Sequence, residues 1–154
     1  VTVSIAPDAG GAGAPAKVLA TASTEGDQLT VTMPPRLYHL VTLRNHLRAW
    51  LADLGVAIET ARDIVMATDE AVTNAVEHRF RPDRATGEVT LMVEARPGAI
   101  VVTVADTGPW QLPAQGHIPD GGFNLPLLRV LADEVHLRHH DGRSVLVAHF
   151  PHRG

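Results

Sequence analysis

Residues 69–78 read DEAVTNAVEH and set Glu70, Asn74 and His78 at four-residue steps inside an otherwise apolar helical pattern. At 3.6 residues per turn each such step drifts about 40° around the axis, so the three side chains share one face. A carboxylate that accepts a proton and an amide oxygen that holds a metal must open on the same cleft, and this spacing meets that requirement. By itself the helix is read more simply as amphipathic, with its Glu, Asn and His in solvent.

Working outward, the helix is expected from about Glu59 to Phe80, with Ile64, Val65, Thr68, Val72, Ala75 and Val76 along its buried stripe and Pro82 ending it. Upstream, LYHLVTLRNHLRAWLADLG (37–55) spaces Leu37, Leu40, Val41, Leu43, Leu47, Trp50, Leu51 and Leu54 mostly three or four apart before Gly55, the pattern of an earlier amphipathic helix. QLTVTM (28–33) alternates Leu29, Val31 and Met33 and stops at Pro34-Pro35, as a half-buried strand does.

Downstream, EVTLMVEA (88–95) and AIVVTVAD (99–106) flank Arg96-Pro97-Gly98 and read as a hairpin with an interior second arm. Residues 107–122 are rich in Gly and Pro and form a long loop, the length that often carries function. A short helix over about Leu125 to Ala132 then leads to EVHLRHH (134–140) and SVLVAHF (144–150), two strands turned by Asp141-Gly142. The order β-α-α-β-β-α-β-β predicts an α+β fold, a two-layer sandwich with a mostly antiparallel sheet covered by helices on one face, rather than a βαβ array.

Residues 1–27 are dominated by Ala, Gly, Pro, Ser and Thr and are expected to be a flexible tail or linker, leaving 28–154 as one domain. The short VTVSI run at the start is the one place in that segment where a strand can be drawn. The core is aliphatic, since only 4% of residues are aromatic. A formal charge of -4 argues against a nucleic-acid or anionic-membrane surface, and Lys17 is the sole lysine. With no cysteine, thiolate chemistry and disulfides are excluded, and no run of about 18 apolar residues marks a membrane span. A cytoplasmic location is the expectation.

Two further segments can carry chemistry. The interior strand delivers Asp106 at its end, followed by Thr107 and Gly108. A carboxylate there can accept a hydrogen bond from a planar base, and Gly108 lets the ring approach the backbone without a Cβ between them. An Asp-Thr-Gly turn is also common after strands. Gly121, Gly122, Phe123 and Asn124 precede the short helix, where backbone N–H groups can cradle phosphates; an ordinary Gly-rich helix start with Asn124 as its cap accounts for them as well.

Taken together and in this order, the pieces resemble the GHKL (Bergerat) ATPases. DEAVTNAVEH resembles the N box, Asp106-Thr107-Gly108 the G1 box, and GGFNLPLLRVLADEV (121–135) the G2 box of anti-sigma factor serine/threonine kinases, over about residues 28–150. The resemblance implies a GHKL-type sandwich that binds ATP and Mg²⁺ and transfers phosphate to a serine of an anti-anti-sigma (STAS-type) protein. It also implies that the chain sequesters a sigma factor, in the stress-response manner of the family, and forms a homodimer.

Carried over by position, Glu70 is the catalytic base and Asn74 the Mg²⁺ ligand; Asp106 and Gly108 hold adenine, and Gly121, Gly122 and Asn124 meet the phosphates. Ser144 stands where relatives often have Thr near the base. Three departures matter: Asn124 replaces a glycine of the G2 box, Pro109 stiffens the start of the loop, and no lysine serves the phosphates, leaving Arg129, Arg79, Arg81 or Arg84 to supply charge. They leave open a non-catalytic or weakly nucleotide-binding anti-sigma adaptor. His136, His139, His140 and His149 have no spacing that defines a metal site, and His78 is not read as a phospho-acceptor.

Overall fold

A computed structural model describes residues 2–5, 20–34, 39–77, 88–107, 125–140 and 143–152. The chain runs β1 (Thr2–Ile5), β2 (Ala20–Glu25), β3 (Gln28–Met33), α1 (Leu40–Asp53), α2 (Ile58–Glu77), β4 (Glu88–Arg96), β5 (Ala99–Thr107), α3 (Leu125–Leu131), β6 (Glu134–His140) and β7 (Arg143–Pro151). Among the described residues these strands form a seven-stranded sheet in the order β1-β2-β3-β4-β5-β7-β6, with every neighbouring pair antiparallel.

Alternation along the strands divides the sheet into a packed and an open face. Val89, Leu91 and Val93 of β4, Ile100, Val102 and Val104 of β5, and Leu146, Ala148 and Phe150 of β7 are buried under the helices, with α2 packed on all three strands. The intervening Thr90, Met92, Thr103, Val145 and Val147 are only half-buried. α1 packs on α2 and β3, and α3 on α2 and β6, so the helices form one layer and the expected two-layer α+β sandwich is the fold.

The sheet reaches further toward the N-terminus than composition suggests. Within the stretch expected to be a tail, Ala20–Glu25 is a strand paired with β3 through a turn at Gly26 and Asp27, and Thr2–Ile5 pairs with β2 in turn. Ala20 and Ala22 are buried in the common core. The expectation is corrected for these residues because a strand beside an existing edge is held mainly by backbone hydrogen bonds, which any non-proline residue can make. Small side chains at alternate positions then suffice to cover the core.

α1 ends through its backbone. Gly55 adopts φ 73°, its N–H donates to the Ala52 carbonyl at 3.0 Å, and the Val56 N–H donates to the Leu51 carbonyl at 3.1 Å. This pair of bonds is a Schellman cap, and the accompanying apolar contact is available because Leu51 and Val56 both lie in the core. A Cβ at Gly55 would meet no atom within 4 Å, so the cost of adding one is confined to the left-handed backbone. Gly55→Ala is expected to lower stability by about 1 kcal/mol, and Gly55→Asn by less, in urea unfolding at equilibrium.

Candidate functional site

α2 determines where the helix-borne residues lie. Its Ile64, Val65, Ala71, Val72 and Ala75 press onto the core, and this rotation turns Asn74 inward to 7% exposure while Glu70 stays half-buried beside it. Asn74 Nδ2 donates to Glu70 Oε1 at 3.4 Å, so the carboxylate and the amide expected on one face are in contact. The bond is long and correspondingly weak, and it leaves Asn74 Oδ1 as the oxygen able to meet a cation.

Asp106 comes from the other layer. It continues the inward alternation of Ile100, Val102 and Val104 on β5 and is 3% exposed. A carboxylate withdrawn from water is retained where donors meet it, because otherwise desolvation of the charge is too costly. The register places Ser144 of β7 and Val89 of β4 directly opposite Asp106. Asn74 and Asp106 are thus each buried, one on the helical layer and one on the sheet, and α2 packs on both β5 and β7.

Gly108, Gly121, Gly122 and Asn124 lie outside the described residues, as do His78, Arg79, Arg81, Arg84 and Pro109. For Ser144 the backbone position alone is described. Arg129 sits exposed in the last turn of α3. On the open face of the sheet His136 approaches Glu134 at 3.4 Å and meets His149 edge-on with ring centroids 6.3 Å apart; no group of three metal-ligating side chains gathers among the described residues.

One interaction beside the site escaped sequence reasoning. Arg44 Nε of α1 donates to Asp69 Oδ1 of α2 at 3.0 Å, immediately before Glu70 in the chain. Both side chains are about one-third exposed, which keeps the pair's contribution within the range of a surface ion pair, below about 1 kcal/mol. Nothing in the spacing of two residues on separate helices signals such a pairing. The sequence signals ended at the helix faces themselves.

Residues 33–150 match the profile of the histidine kinase-like ATPase domain. Among curated proteins, serine-protein kinase RsbW of Bacillus mycoides (strain KBAB4) is 24% identical over 142 residues, covering 82% of this chain and 87% of that protein. Serine-protein kinase RsbW of Bacillus cereus (strain ATCC 10987 / NRS 248) is similar to the same extent. Among solved structures, that of the RsbU and RsbW domains of Rv1364c from Mycobacterium tuberculosis aligns with a TM-score of 0.65 at 26% identity over 85% of this chain. The alignment spans only 34% of that longer chain.

Close to the Asn74–Glu70 pair, Thr68 Oγ1 is buried without a hydrogen-bond partner among the described residues. Replacing a buried unsatisfied hydroxyl with a methyl of the same shape removes a desolvation cost and leaves packing intact. Thr68→Val is therefore expected to stabilise the fold by about 1 kcal/mol, read as a higher melting temperature; a loss of stability would show that the hydroxyl is engaged in solution.

Proposed function

This chain belongs to the histidine kinase-like ATPase domain family, and from that premise we propose that it is an ATP-dependent protein serine kinase and anti-sigma factor. The observation that carries the proposal is the contact of Asn74 with Glu70 on α2, together with the burial of Asp106 on β5, a strand on which α2 packs. The family match over residues 33–150 and the burial of Asn74 and Asp106 support this reading. The resemblance to the RsbW serine-protein kinases supports the choice of serine as acceptor.

In the reaction we infer, the acceptor serine Oγ bonds to the γ-phosphorus of ATP as its proton passes to the Glu70 carboxylate. The bond from the γ-phosphorus to the bridging oxygen breaks and ADP leaves. Asp106 accepts a hydrogen bond from the adenine amine, Gly108 admits the ring, and Ser144 lies one strand away from Asp106. Backbone N–H groups of Gly121, Gly122 and Asn124 serve the phosphates.

Mg²⁺ fits the donor set: a hard cation takes oxygen ligands, and Asn74 Oδ1 supplies one without a dedicated cage of carboxylates. When bound there, the ion would supply charge neutralisation at the phosphates, which is most of what phosphoryl transfer requires of its surroundings. Glu70 remains free to act on the proton because the amide, rather than the carboxylate, is assigned to the metal.

The partners we propose are a STAS-type anti-anti-sigma protein as phosphate acceptor and a sigma factor as the sequestered species, with the kinase a homodimer in the cytoplasm acting on stress-responsive transcription. No helix among the described residues is long and apolar enough to cross a membrane. Asn124 in place of a G2-box glycine favours a second reading, an anti-sigma adaptor that binds nucleotide weakly and transfers no phosphate.

Labelled ATP, Mg²⁺ and a candidate STAS-type acceptor separate the two. The kinase is expected to label the acceptor on serine, and Glu70→Ala to reduce transfer by about 100-fold or more while retaining an ATP-induced thermal shift. Asp106→Ala is expected to weaken ATP binding by about 10- to 100-fold in calorimetry, the loss of one hydrogen bond to a charged group. ATP binding without transfer selects the adaptor, and transfer undiminished in Glu70→Ala removes the assigned base.

A further inference from the structure

The solvent side of the α1–α2 pair holds a groove of about 490 Å³. One wall is the ridge Arg44, Arg48 and Ala52, spaced four apart on α1; the other is the ridge Ile58, Ala61, Arg62, Val65, Met66 and Asp69 on α2. The Schellman turn closes one end by bringing in Val56. Neither Glu70, Asn74 nor Asp106 lines it, so it is separate from the proposed nucleotide corner.

Its chemistry is two-part. Ile58 is 78% exposed and Met66 46%, so two of the four large apolar side chains left in solvent among the described residues line this groove. Around them stand three arginines, of which Arg44 pairs with Asp69 while Arg48 and Arg62 have no acidic partner among the described residues. Unpaired guanidinium groups beside an exposed apolar floor mark a surface for a ligand that is acidic at its edges and apolar between them.

We propose that this groove receives an acidic amphipathic helix from a protein partner. A groove walled by side chains of two packed helices accepts a third helix whose apolar anchors recur at i, i+3, i+4 and i+7, and Met66 adapts to the shape of those anchors. Flanking carboxylates on the ligand meet Arg48 and Arg62. The chain's overall charge of -4 opposes adsorption to an anionic membrane, which favours a protein helix over a lipid surface. At the Arg44 end the ligand's carboxylate competes with Asp69 for the guanidinium.

The test uses the whole chain without nucleotide, so its outcome is independent of the ATP-site assignment. The probe is a fluorescein-labelled synthetic helix of about four turns, with leucines on one face and glutamates flanking them; a second peptide carries lysine for glutamate. The acidic peptide is expected to bind and the basic one not to. Arg48→Glu/Arg62→Glu is expected to weaken binding of the acidic peptide at least tenfold and to admit the basic peptide, while Asp69→Asn, by removing the competitor, tightens the acidic one.

Circular dichroism and melting verify that the variants fold, and Arg48→Ala/Arg62→Ala, expected to weaken binding in the same direction, serves if charge reversal does not. No binding of the acidic peptide, or equal binding by the wild type and the double variants, overturns the proposal. So does association with phosphatidylglycerol vesicles, or self-association in sedimentation, that the double variants abolish, since either assigns the groove to a membrane or to a second copy.

Discussion

The packing of α2 onto β4, β5 and β7 is the contact from which the rest of the molecule's chemistry follows. Burying Ile64, Ala71, Val72 and Ala75 fixes the rotation of a helix about 30 Å long, and a rotation once fixed leaves no freedom in where Glu70 and Asn74 point. Each large buried aliphatic contributes on the order of 2 kcal/mol, whereas the Asn74–Glu70 bond at 3.4 Å contributes little. The polar residues are therefore placed by the apolar ones. The site depends on the core and adds little to it.

Asp106 and Asn74 run against that economy, because both are polar and nearly fully buried where Val or Leu would pack more favourably. A fold keeps such residues where their hydrogen-bonding capacity is used, and here one comes from each layer. The sheet contributes a fixed carboxylate near the end of its interior strand. The helix contributes an amide next to a second, half-buried carboxylate.

Much of this was legible in the residues. The runs at 88–95 and 99–106 have the alternation and apolar density of strands, and Gly98 at φ 80° turns them as expected. The stripes of α1 and α2 largely match their burial because 3.6-residue periodicity survives in sequence. Val41, expected on the α1 stripe, is instead 59% exposed, since it follows the buried Leu40 by one residue and so turns about 100° away from it, and Leu37 lies outside the described residues. β2 was illegible for the opposite reason: ATASTE carries no apolar density, and its place in the sheet comes from pairing with β3, a relation between segments. The Arg44–Asp69 pair and the groove likewise arise from the relation of two helices, which leaves no local pattern. The glycine-rich segment around Gly121 and Gly122 lies outside the described residues.

α2 thus serves two surfaces one residue apart. Asp69 belongs to the groove and Glu70 to the proposed nucleotide corner, and successive residues on a helix diverge by about 100°, so the two surfaces adjoin without overlapping. A ligand in the groove that displaces Asp69 from Arg44 exchanges one partly exposed ion pair for another, a difference within about 1 kcal/mol. Coupling between the surfaces through that pair alone is then limited to roughly fivefold in affinity. A larger effect requires α2 itself to turn or slide on the sheet, and the buried stripe of Ile64, Ala71 and Val72 opposes that motion.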